Sequence, residues 1–134
     1  MKKNNITTLI TTRLHLRALS IYDDEEIFSL RSNKEVNTFV KREPCKTIDD
    51  ARIFINKVLA SAKKIEVYYW AITLKEADKL IGTICLANYC FETSTAEIGY
   101  ELLPTFQNKG FIQESIIKVI DFGFEALQLN NIEA

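Results

Sequence analysis

The stretch Pro104-Thr105-Phe106-Gln107-Asn108-Lys109-Gly110-Phe111-Ile112-Gln113 decides how this chain is read. Ahead of it lies Ala96-Glu97-Ile98-Gly99-Tyr100-Glu101-Leu102-Leu103, a strand-like run. Behind it, Ile112, Ile116, Val119, Ile120, Gly123 and Leu127 recur at helical spacing and form one apolar stripe. A glycine-containing turn between a strand and a helix N-terminus leaves several backbone N–H groups without internal partners, all aimed at one point. That point suits a phosphate or pyrophosphate. The expected donors are the amides of about 108–113, on Asn108, Lys109, Gly110, Phe111, Ile112 and Gln113. Lys109 either adds charge or stands in solvent. Asparagine at 108 enters the left-handed region at modest cost.

Working outward, the helix ends near Asn130-Asn131, and Ile132-Glu133-Ala134 starts another strand. Upstream, residues 67–74 are rich in β-branched and aromatic residues, with Trp70, Ile72 and Leu74 on one face. Residues 75–79 form a polar connector, and residues 80–86 return as the second strand of a hairpin. Gly82 marks a bulge or a close backbone approach. Residues 89–94 read as a loop. Thr47-Ile48-Asp49-Asp50 opens a helix on which Ala51, Phe54, Ile55, Val58 and Ala62 recur. Residues 33–44 read as a loop. Ser20-Ile21-Tyr22-Asp23 opens an earlier helix that ends near Arg31, and Asp23, Asp24, Glu25 and Glu26 complement its dipole. Arg13-Leu14-His15-Leu16-Arg17 alternates and reads as a half-buried strand. The order β-α-α-β-β-β-α-(β) implies a mixed α+β fold, broadly α/β, with a mostly antiparallel sheet flanked by helices.

A length of 134 residues supports one domain spanning 1–134. Seventeen basic and 18 acidic side chains leave a net charge of −1, so the chain has no general attraction to nucleic acid or an anionic membrane. Any anion site must be local. Cys45, Cys85 and Cys90 lack metal-type spacing and read as reduced thiols of a cytoplasmic protein. His15 is the sole histidine and should face solvent, which excludes a histidine triad or a multi-histidine metal site. No apolar run is long enough to span a membrane, and the basic start Met1-Lys2-Lys3-Asn4-Asn5 makes a poor signal peptide.

Glu97-Ile98-Gly99-Tyr100…Leu103-Pro104, followed by Gln107-Asn108-Lys109-Gly110-Phe111-Ile112, resembles the acetyl-CoA-binding segment of the GCN5-related N-acetyltransferases (the GNAT superfamily). The likeness is greatest to the branch that includes the ribosomal-protein N-terminal acetyltransferases. The family turn is Gln/Arg-x-x-Gly-x-Gly/Ala. Gln107 and Gly110 match it, and Ile112 departs from it. A small residue there lets the backbone approach the phosphates, so Ile112 is expected to weaken or rearrange cofactor binding.

The resemblance implies acetyl transfer from acetyl-CoA to a primary amine, either a protein N-terminal α-amine or a small molecule, by direct attack in a ternary complex and without a metal. It implies that the strand splays at Leu102 and Leu103, where the pantetheine arm pairs with the backbone. It implies a glutamate base, Glu97 in preference to Glu101, with a structural salt-bridge role as the alternative. No match is found for the residue that protonates the thiolate. The acceptor wall falls at 33–45, where Lys34, Glu35, Lys41, Arg42 and Glu43 show no single-sign preference.

The likeness covers only the front part of the family domain. The expectation is therefore an incomplete C-terminal part, with an open sheet edge and exposed apolar helix surface that favour a homodimer or other self-association. Two alternatives stay open: a non-catalytic acyl-CoA-binding or regulatory remnant, and a structural domain that binds no nucleotide.

Overall fold

A computed structural model describes residues 7–37 and 42–134. The basic start, Ile6, and Lys41 of the expected acceptor wall lie outside the described residues. Strands β1 (Leu9–Ile10), β2 (Leu14–Ala18), β3 (Tyr68–Leu74), β4 (Ala77–Cys90), β5 (Thr95–Leu102) and β6 (Asn131–Glu133) form one sheet in sequential order. All neighbours are antiparallel except β5 and β6. Helices α1 (Asp24–Ser32), α2 (Lys34–Asn37) and α3 (Ile48–Lys63) lie between β2 and β3, and α4 (Phe111–Glu125) connects β5 to β6. This is the mixed, mostly antiparallel sheet with flanking helices that the sequence implies.

The helix starts are chemical. Ser20 and Asp23 form a reciprocal capping box, and so do Thr47 and Asp50. The first box opens a 3-10 turn, Ile21–Asp23, which continues into α1. Two apolar clusters hold the layers together. One joins Leu14, Leu16, Trp70, Ile72, Ile84 and Leu86 of the sheet to Phe111 and Val119 of α4. The other joins Ala71 and Leu80 to Ile27 of α1 and to Ala51, Ile55 and Val58 of α3.

A β-bulge lets β4 serve both clusters. Ile72 pairs with Gly82 but Thr73 pairs with Leu80, so Ile81 is extra. The inserted residue reverses the phase of the strand, and Leu80 faces the α1–α3 layer while Ile81 and Ile84 face α4. Gly82 fits here because a Cβ would sit 2.6 Å from Leu102 Cδ1 and 3.0 Å from Leu102 Cα. Gly82→Ala should push β4 and β5 apart and cost about 1–3 kcal/mol, as overpacking does. A lower urea midpoint at unchanged slope is the expected reading.

The structure moves several boundaries. The short strand β1 precedes the expected first strand, and α2 occupies part of the expected loop at 33–44. Strand β4 begins at Ala77 and runs to Cys90, so the connector shrinks to Lys75-Glu76. Strand β5 ends at Leu102: the Leu103 N–H still donates to Ile81 O of β4 (2.9 Å), but Pro104 has no N–H with which to carry the ladder further. The fully buried line of α4 is Phe111, Ser115, Val119 and Gly123. The expected stripe residues Ile112, Ile116 and Leu127 flank that line, half-buried. Small residues win the contact line because the helix can then approach closely: a Cβ on Gly123 would sit 2.8 Å from Ile132 Cδ1. Ser115 is satisfied there by donating to Phe111 O at 2.9 Å. His15 is half-buried rather than fully solvent-facing.

The three cysteines are free thiols. Among the described residues no helix is long and apolar enough to cross a membrane.

Candidate active site

A cleft of about 550 Å³ opens at the carboxyl end of β5. Tyr100, Glu101 and Leu102 of β5 form one side. Gln107, Asn108, Gly110, Phe111, Ile112 and Gln113 form the second, and Glu35 and Val36 of α2 form the rim.

The turn is built in steps. Pro104–Phe106 makes a 3-10 turn in which Gln107 N–H donates to Pro104 O at 3.1 Å. The Gln107 side chain reaches back and donates through Nε2 to Leu102 O at 2.9 Å, tying the turn to the strand end. Asn108 (φ 63°) and Gly110 (φ 82°) then take left-handed conformations. The backbone enters α4 at Phe111. The ladder begins when Glu114 N–H donates to Gly110 O at 3.0 Å. The N–H groups of 108–113 have no acceptor among the described residues. Free amides around a left-handed glycine at a helix start make a concave anion site.

The neighbouring edge of β5 is also open. Strand β6 pairs only with Thr95, Ala96 and Glu97. Among the described residues, 98–102 pair with β4 alone. An amide-bearing chain can add to such an edge as a strand would. The free amides and open edge fit a pyrophosphate followed by a pantetheine arm. Ile112 borders the cleft but is half-buried and packed against the α4-side cluster.

The sequence-level candidates separate. Leu102, Gln107, Asn108, Gly110, Phe111, Ile112, Gln113 and Glu101 border the cleft, whereas Leu103, Lys109 and Glu97 do not. The Leu103 N–H is already committed to Ile81 O. The Lys109 C=O is held by Arg13 Nη1 at 3.0 Å. Glu97 shares a sheet face with Glu101 but lies four residues, about 13 Å, along the strand. It is exposed rather than partly buried, and accepts from Asn88 Nδ2 at 2.8 Å.

Glu101 is paired in both oxygens with Arg42: Nη1 to Oε2, and Nη2 to Oε1 at 2.9 Å. Arg42 Nε donates to Asn37 Oδ1 at 2.9 Å, which ties α2 to the cleft. The adjoining cross-strand rows are Ala71–Thr83–Glu101 and Tyr69–Cys85–Gly99. Burial raises the Tyr69 hydroxyl pKa above the ordinary tyrosine range and pushes the Cys85 thiol up to about 11, so both stay protonated near neutrality. Arg31 stacks 3.7 Å over the Phe54 ring, and its pKa is lowered by burial and by Arg42.

Sequence reasoning missed Arg13, the place of Tyr100 in the cleft, and the pairing of Arg42 with Glu101, whereas Glu35 and Val36 fall within the stretch 33–45. The alternation around Arg13 signals only a strand. Nothing local announces a partner 96 residues away.

A sequence profile described as "Acetyltransferase (GNAT) domain" matches residues 13–134. The "Uncharacterized N-acetyltransferase p20" of Bacillus licheniformis is 35% identical over 127 residues, covering 95% of this chain and 71% of that protein. A crystal structure of an acetyltransferase (GNAT family) from Bacillus anthracis superposes with a TM-score of 0.80 at 26% identity, covering 94% of this chain and 71% of that one. The microcin C7 self-immunity acetyltransferase MccE, solved with acetyl-CoA and AMP, gives a TM-score of 0.72 at 23% identity, covering 88% and 66%. The chain belongs to the GNAT acetyltransferase family. Its class is that of the acetyl-CoA-dependent N-acetyltransferases, which bind an acceptor substrate alongside acetyl-CoA.

Proposed function

We propose that the chain transfers the acetyl group of acetyl-CoA to a primary amine, with the cleft at the end of β5 holding both substrates. The observation that carries this reading is the run of free amides at 108–113 beside the unpaired edge of 98–102. The amides and Gly110 take the pyrophosphate. Leu102 and the open edge guide the pantetheine arm, and acetyl-CoA supplies the activated acyl group.

The acceptor enters past Glu35, Val36 and Tyr100. Glu101, fixed by Arg42, is the carboxylate in position to orient the incoming amine and to draw off its proton through water. Glu97 lies too far along the strand for this part. A protein N-terminal α-amine, with a pKa near 8, needs little help to lose that proton, which suits a site with one tethered carboxylate. Ile117 and Phe124, exposed on α4 away from the open edge of β5, support self-association.

A panel of peptides and small amines, with thiol release as the readout, tests the reaction. Acetylation of an amine with stoichiometric thiol is the expected result. Glu101→Gln should lower kcat/KM by about 100-fold with little change in CoA affinity, the size expected for losing general-base help. One observation favours the second reading, a non-catalytic acyl-CoA-binding module: both Glu101 oxygens are occupied by Arg42. CoA binding with no thiol release for any amine would select it.

A further inference from the structure

We propose that Arg13 is a positioning residue for the coenzyme phosphates, aiming the backbone amides of the turn and cancelling a misplaced negative charge beside them; this rests on the acetyl-CoA reading of the cleft. Arg13 sits just before β2, far in sequence from the turn it touches. Its Nη1 donates to Lys109 O at 3.0 Å. In a planar trans peptide the C=O and the following N–H point in opposite directions. Drawing the Lys109 oxygen toward Arg13 therefore turns the Gly110 N–H to the other side, and Gly110 borders the cleft. If the peptide were flipped, a carbonyl oxygen would face the phosphate instead.

The second half of the device concerns Glu114. This carboxylate lies in the first turn of α4, beside the anion site, where it would repel a phosphate. It is instead fully engaged: Thr11 Oγ1 donates to Oε2, Arg13 N–H donates to Oε2 at 2.9 Å, and Arg13 Nε donates to Oε1 at 2.8 Å. Desolvation opposes its charge, but the bonds from Thr11 and Arg13 prevail and hold its pKa below the usual carboxylate range. The guanidinium also lies 4.5 Å over the Phe111 ring, packed on the first residue of the helix. A Cβ on Gly110 would come 3.2 Å from Arg13 Nη2, so the residue and the turn are fitted to each other. The planar fork makes these contacts together, which a lysine cannot do.

The test compares two ligands on the intact chain. CoA carries the phosphates, whereas pantetheine carries the same arm without them. Dissociation constants are measured by calorimetry for CoA and by NMR titration for pantetheine, on wild type, Arg13→Ala and Arg13→Lys. The expected result is an approximately tenfold loss of CoA affinity in Arg13→Ala, unchanged pantetheine affinity, and only partial recovery in Arg13→Lys. Unchanged CoA affinity, or equal losses for both ligands, overturns the proposal, because an Arg13 that merely supported the fold would weaken both alike. If Arg13→Ala does not fold, the same ratio in Arg13→Lys decides. Wild-type protein that binds neither ligand removes the acetyl-CoA reading itself, a result distinct from a loss confined to the variants.

Discussion

Gly110→Val should lower CoA affinity by about 100-fold, equivalent to about 2.7 kcal/mol, while the protein still folds. Gly110 sits at φ 82°, a left-handed conformation that costs an L-residue roughly 1–2 kcal/mol and a β-branched one more. A side chain here also meets Arg13 Nη2, 3.2 Å from an ideal Cβ. The cheapest escape is rotation of the two peptide planes that flank residue 110. That rotation re-aims the N–H of Gly110 and of its neighbour at the start of α4. The damage is local because residue 110 is exposed and contributes nothing to either apolar cluster. Calorimetry with CoA, alongside circular dichroism, checks both halves: affinity falls steeply while the spectrum is retained.

Trp70→Ala should have the largest effect on stability, about 3–5 kcal/mol, the range for aromatic-to-alanine changes in a core. Trp70 is fully buried on β3. Its ring lies edge-to-face with Phe122 at 5.5 Å and stacks with Tyr68 at 6.4 Å. Its Nε1 donates to Thr7 O at 2.9 Å, fastening the segment ahead of β1. Truncation therefore opens a cavity between the sheet and α4, strands a backbone acceptor, and loosens the helix whose N-terminus forms the anion site. Urea unfolding should show a much lower midpoint, and CoA should restore part of the loss by mass action if it binds the native state.

The backbone plan was legible because each element follows a local rule. The capping residues Ser20 and Thr47 mark two helix starts, and the β-branched run ending at Leu74 marks β3. Asn108 and Gly110 mark the turn, since few other residues accept positive φ. The misplaced features depend on contacts that the local pattern does not encode. The buried line of α4 runs through Ser115 and Gly123 because Leu129 and Ile132 occupy the space beside Gly123. A count of apolar residues includes Val119 and Gly123 but adds Ile112, Ile116 and Ile120 and passes over Phe111 and Ser115.

The site was half legible for the same reason. The amides and Leu102 follow from one contiguous stretch. The side chains that organise them, Arg13 and Arg42, arrive from other elements across the fold. Glu97 and Glu101 are equivalent by strand alternation. Only the covering helices distinguish them, leaving Glu97 exposed and placing Glu101 at the cleft.

The most direct test of the central claim is an amide chemical-shift map of the protein titrated with CoA. The account predicts saturable shifts that are largest at residues 108–113, followed by those on the open edge of β5 that end at Leu102. Shifts centred on another surface, or none at millimolar CoA, would contradict it.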